Sequence, residues 1–213
     1  MTSRSLPLLL FPMLGGLIAW VFRPSEPAWS LDTPEYVRAP ERKILNLPDG
    51  SALRFIRVRG TDDIPDFFLS ETEVPAALWS AFSDQQPSHA LALEFCEWLS
   101  RQTTQHLRLP RAEEWRLAAR AGVPNAEFPW GFGPPIPPKG LRFNLPAPPS
   151  KPGPAFGYGF RDLAGGRWEW TQERLALGSA WSERDPNTLY IDHQWHPPPD
   201  YAGKDIGLRL VWE

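Results

Sequence analysis

The 213-residue chain has a single cysteine, Cys96. One thiol excludes an intramolecular disulfide and any site built on paired thiolates within the chain. Excess positive charge is also missing: 22 Lys and Arg stand against 25 Asp and Glu, a net charge of −3. A protein that binds nucleic acid needs a basic footprint, so no nucleic-acid partner is expected. The chain has no phosphate-cradling glycine loop, no dinucleotide fingerprint and no nucleophile elbow. Long helices are scarce as well, because 26 prolines interrupt the pattern. Tryptophan, by contrast, is plentiful, with 11 copies. Each one brings a large buried area to the few elements that form. The combination describes a loop-rich domain, not a bundle or a doubly wound sheet.

The N-terminus carries the one long apolar run. "LPLLLFPMLGGLIAWVF", residues 6–22, is uncharged and follows Arg4. Its length is at the lower edge for spanning a bilayer and slightly long for the apolar part of a cleavable signal. No small-x-small cleavage site follows Phe22. Three readings stay open: an uncleaved anchor, a cleaved signal and a buried helix. The anchor is favoured, with the domain on the exported, periplasmic or extracellular side. Residues 1–22 are then the anchor or signal segment, 23–44 a proline-rich tether and 45–213 the folded domain.

Within the domain, Asp49-Gly50 signals a hairpin between two apolar runs. "DFFL" (66–69) supplies a short buried strand, and Pro75 opens a helix carrying Leu78, Trp79 and Phe82. Ser88 caps a second helix whose Leu91, Phe95, Trp98 and Leu99 share a face, with Cys96 beside it as a small core residue. A third helix starts at Pro110, carries Glu113 and Glu114 in its first turn as ordinary dipole and surface charges, and stops at Gly122. Turns and short strands fill the rest. In "YGFRDLAGGRWEW" (158–170), Gly159, Gly165 and Gly166 allow positive φ, while Trp168 and Trp170 share one face of an extended segment and Glu169 takes the other.

The order of these pieces resembles one family. "SETEVPAALWSAF" (70–82), "ALEFCEWL" (92–99), "RLPRAEEWRLAARAG" (108–122), "FPWG" (128–131), "RFN" (142–144), "GYGFRDLAGGRWEWTQE" (157–173), "LGSAW" (177–181) and "IGLRL" (206–210) follow one another as in the formylglycine-generating enzyme, or sulfatase-modifying factor, domain. The resemblance implies an α+β, C-type lectin-like, loop-rich fold, with short antiparallel strands and two or three helices packed on them. It makes Trp115, Trp130, Trp168, Trp170, Trp181 and Arg209 scaffold residues.

The departures bear on activity. Active members of the resembled family use a pair of cysteines that hold copper in the oxygen-dependent enzyme. This chain lacks the second cysteine, so no copper is expected. The arginine-glycine-glycine-serine-tryptophan turn reads Leu177-Gly178-Ser179-Ala180-Trp181, and the usual asparagine before the "WEW" motif is Gly166. The resemblance implies one calcium ion, to which Asn144 and Glu169 would contribute, short of one ligand at Gly166. Apart from the resemblance, His193 and His196 are three residues apart, with Asp185 and Asp192 nearby as carboxylates for a transition metal; three prolines after His196 argue instead for a surface loop.

Two functions are expected from this pattern. The first is a non-catalytic, membrane-tethered scaffold that binds a partner protein in an envelope or membrane complex. The alternative is a periplasmic metal-dependent oxidase or maturation enzyme on the same fold.

Overall fold

Phe55 and Ile56 are neighbours in sequence, and both are wholly buried. Side chains alternate across a strand, so two adjacent buried residues require cover on both faces. In the computed structural model, which describes residues 40–47 and 49–213, both faces are covered. Strand β2 (Ala52–Val58) belongs to a five-stranded sheet ordered β1-β2-β3-β10-β4, with β1 at Arg42–Asn46, β3 at Phe67–Ser70, β4 at Leu107–Arg108 and β10 at Val211–Trp212. All its pairings are antiparallel. Phe55, Leu210 and Trp212 face one core; Ile56, Leu69 and Val211 face the other.

The first core is closed by helix α2 (His89–Thr103), through Ala92, Phe95, Cys96 and Leu99. Cys96 therefore sits within the buried face, while Leu91 and Trp98 are only partly covered at its margins. Ser88 caps this helix as expected, its Oγ accepting the Leu91 N–H at 3.3 Å. The short α1 (Ala76–Ser80) begins after Pro75 and adds Leu78 and Trp79. The second core is closed by α3 (Ala112–Arg120), through Trp115, Ala118 and Ala119.

Two smaller sheets complete the domain. β5 (Ala155–Phe156) and β6 (Phe160–Arg161) pair antiparallel. β7 (Trp168–Trp170) lies between β8 (Ala176–Leu177), antiparallel, and β9 (Ile206–Gly207), parallel. That parallel pair is the one departure from the expected antiparallel pattern. A single 3₁₀ turn, Pro186–Leu189, is the only helical element after α3 among the described residues.

Three expectations need correction. The domain begins at least at Arg42, inside the stretch read as tether, because Arg42–Asn46 pairs with Ile56–Ala52 and Lys43 lies 4.0 Å from the Phe68 ring centre. Charged residues suit this position, since β1 is an edge strand. Helix α3 starts two residues after Pro110, with Arg111 as its N-cap. Glu114 is no surface charge: it is buried, accepts the Arg111 N–H at 2.8 Å, and is gripped by Arg108 at 2.7 and 2.8 Å. Residues 6–22, read as the anchor, lie outside the described residues. Among the described residues, no helix is long and apolar enough to cross a membrane.

Candidate functional site

β7 turns Trp168 and Trp170 into the first core and points Glu169 the opposite way. Residues 208–210 repeat the pattern, with Leu208 and Leu210 in that core and Arg209 between them. The two charges thus meet in the interior. Glu169 and Arg209 are both wholly inaccessible and pair at 2.9 Å. Glu169 Oε2 also accepts the Trp115 indole N–H at 2.6 Å. Arg209 donates onward to the carbonyls of Ser70 (2.6 Å) and Arg161 (2.7 Å). A buried ion pair is tolerable when its remaining hydrogen-bonding capacity is met, and here it is.

Beside this pair lies a second acidic group. Glu73, nearly buried, accepts the Arg167 backbone N–H and its guanidinium, both at 2.8 Å. Asp162 accepts the Gly153 N–H at 3.0 Å and faces Arg142 at 3.4 Å. Gly166, at φ +84°, is wedged between these carboxylates: a Cβ there would stand 2.6 Å from Glu73 Oε1 and 2.9 Å from Asp162 Cβ. Burial raises the Glu73 pKa to about 7; the Glu169 charge pushes the same way, and Arg167 opposes. Burial also raises Asp162, against the pull of Arg142.

A cleft of about 280 Å³ meets this network at Arg167 alone, and is lined also by Val74, Trp79, Pro87, Lys204 and Gly207 among others. Neither histidine nor cysteine lines it. It can hold a side chain or a short peptide segment through its indole and cations, and it offers no thiol or imidazole for covalent chemistry.

The expected site residues are dispersed. Asn144 is exposed, at φ +53°, in a shallow trench with Pro135, Phe143 and Arg184. Glu169 is wholly inside, with its charge met by Arg209 and Trp115. These residues do not fit the expected calcium site: the two ligands are not brought together, and the glycine at 166 fills a place that Glu73 and Asp162 close to any side chain. His193 packs against Trp168 with ring centres 5.8 Å apart, while His196 is exposed beside Gln194. Asp192 is taken by Arg120 and Asp185 caps the 3₁₀ turn. Among the described residues, no three His, Cys, Asp or Glu side chains form a group that could hold a metal.

The scaffold assignments divide. Trp115, Trp168, Trp170 and Arg209 are buried. Trp130 is partly buried and stacks on Phe128 at 4.9 Å. Trp181 is partly buried, and its Nε1 is the one buried side-chain nitrogen or oxygen without a hydrogen-bond partner among the described residues. Sequence reasoning missed Glu73, Asp162, Arg142 and Arg167. Their only sequence signal is an acid beside buried Val74 and an acid within a glycine-rich turn.

Residues 88–213 match the model of the Sulfatase-modifying factor enzyme 1-like domain. The chain belongs to this family. Relatives of the sulfatase-modifying factor domain include the inactive C-alpha-formylglycine-generating enzyme 2 of Mus musculus, 29% identical over 143 residues, covering 55% of this chain and 44% of the relative. The formylglycine-generating enzyme of Mus musculus is 31% identical over 131 residues, covering 54% of this chain and 30% of the relative. The chain thus spans less than half the length of the curated relatives it matches. The solved structure of Treponema denticola variable protein 1 superposes with a TM-score of 0.64 at 16% identity, over 81% of this chain and 99% of that one. That likeness bears on the fold alone, and it agrees with the mixed α+β, lectin-like architecture expected from sequence.

Proposed function

We propose that this sulfatase-modifying-factor domain is a non-catalytic scaffold, tethered to a membrane by residues 6–22, that binds a partner protein in an envelope or membrane complex on the exported side. The observation that carries the reading is the state of Cys96. It is the only thiol in the chain, it is 4% exposed inside the α2 face, and burial pushes its pKa up to about 12. The thiolate is the reactive form of cysteine, so this thiol is inert. The charged centre of the domain is spent on internal hydrogen bonds, and relatives named inactive formylglycine-generating enzymes support the same reading.

The test is size-exclusion chromatography of the full chain, solubilised from its native membranes in mild detergent. A complex much larger than the 24.2 kDa chain in its micelle, with no aldehyde formed on a cysteine-containing sulfatase peptide, is expected. A lone monomer, or peptide oxidation that disappears in Cys96→Ser, overturns the reading.

A further inference from the structure

The segment from Phe128 to Arg161 is unlike the rest of the chain. It contains ten prolines (129, 134, 135, 137, 138, 146, 148, 149, 152 and 154) and four cations, and no Asp or Glu at all. Its tip, "FGPPIPPK" (132–139), leaves Phe132 60% exposed and Ile136 68% exposed, more than any other large apolar side chains among the described residues. The tip is built to stand where it is. Phe128 and Gly131 exchange backbone hydrogen bonds of 2.9 and 2.8 Å at its base. Phe128 is wholly buried between Trp130 and Tyr190, with ring centres 4.9 and 4.5 Å away. Together with Ala164 and Leu189 these residues form a third small core under the loop. Prolines hold the remaining turns, so presenting the two apolar residues costs little chain entropy. Cations flank them: Lys139 follows in sequence, and Arg184 lines the same trench as Ile136, and both are exposed. Three acids flank the tip and Arg184 in sequence: Glu183 is half-buried against the Trp168 indole, while Glu127 and Asp185 are exposed and accept the backbone N–H groups of Gly133 and Asn187.

Resting on the tethered reading above, we infer that the 132–139 tip is a second membrane contact, which seats Phe132 and Ile136 in the interface of an anionic bilayer with Lys139 and Arg184 at the lipid phosphates. The described domain begins at Pro40 and the apolar run ends at Phe22, which leaves residues 23–39 between them. Seventeen residues reach about 60 Å at most when extended, longer than the roughly 40 Å width of a compact domain of this size, so the length of the tether does not hold the tip away from the bilayer that the anchor would occupy. A rigid loop with apolar side chains at its apex and cations behind them has the chemistry of the lipid–water boundary, where apolar insertion and attraction to anionic headgroups add.

The experiment uses the full chain in a Cys96→Ser background, reconstituted into vesicles of phosphatidylcholine alone or mixed equally with phosphatidylglycerol. A nitroxide is attached at Ile136→Cys or, as a control on α2, at Leu93→Cys, and its collisions with oxygen and with a water-soluble nickel complex are measured. At position 136, oxygen collisions are expected to dominate in the mixed vesicles. This preference should weaken several-fold in pure phosphatidylcholine and on adding Phe132→Ser with Lys139→Glu; position 93 should remain nickel-accessible throughout. Equal nickel access at 136 and 93, with the protein still resisting a carbonate wash, overturns the tip contact and leaves the tether standing. Loss of the protein from the vesicles in that wash overturns the tether itself. Loss of both kinds of collision at 136, increasing with protein density, assigns the tip to a second copy of the chain and overturns the inference.

Discussion

Two buried residues with opposite roles set the chemistry of this domain. Cys96 fills space; its replacement by serine should leave any biological activity intact and lower stability by about 1–3 kcal/mol, the cost of a buried hydroxyl, as read from a denaturant midpoint. Loss of activity with unchanged stability would contradict an inert thiol. Glu73 is different, because its protonation is linked to folding. An ordinary glutamate titrates near 4.5, and in the folded domain Glu73 is raised to about 7, first by burial and then by Glu169. Between those values the folded state keeps a proton that the unfolded chain has released. Stability contributed at this residue is therefore present below pH 4.5 and declines as pH rises toward 7. The stability of the parent minus that of Glu73→Gln should fall across this window and level off above it; parallel curves would show that Glu73 ionises freely. Gly166 shows why one residue can mislead. An asparagine there would look like a restored ligand, yet its Cβ would collide with Glu73 and Asp162.

At the level of elements, local signals were legible and distant ones were not. The Asp49-Gly50 turn is as expected: Asp49 Oδ1 accepts the Ser51 N–H at 2.9 Å, and Gly50 adopts φ +83°. Ser88 as a cap and the three helices were readable because each depends on residues within one or two turns. The Glu73–Arg167 pair spans 94 positions and the Glu169–Arg209 pair 40, and no short-range pattern announces such partners. The same limit explains Glu114, whose position in a first turn suggested surface charge until Arg108, arriving on β4, covered it. Strand β7 carries the clearest prediction at this scale. Trp168 is 3% exposed and belongs to a three-residue strand between two-residue ones, so few neighbours can repack. Trp168→Ala should cost about 3–5 kcal/mol, as for other large buried aromatics. A soluble variant with unchanged melting would mean that this indole does not support the core.

For the whole molecule, the outstanding expectation is retention of residues 6–22. The run would span about 26 Å as a helix, slightly short of a 30 Å hydrocarbon core, a mismatch that local thinning or the flanking arginines could absorb. The intact mass of the chain from its native host should include these residues, and the protein should resist a carbonate wash. A mature N-terminus near Trp29, with the protein in the soluble fraction, would remove the tether and any membrane role that depends on it. The five-stranded sheet has a further consequence, in time instead of space. One of its three interior strands, β10, comes from residues 211–212 and pairs with β3 on one side and β4 on the other. In the order of synthesis it follows every other described element. Until it emerges, β3 and β4 each lack a partner on that side, and β2 with β3 makes the only wall between the two cores. The five-stranded sheet is therefore completed last among the described elements, when residues 211–212 join strands made more than a hundred residues earlier.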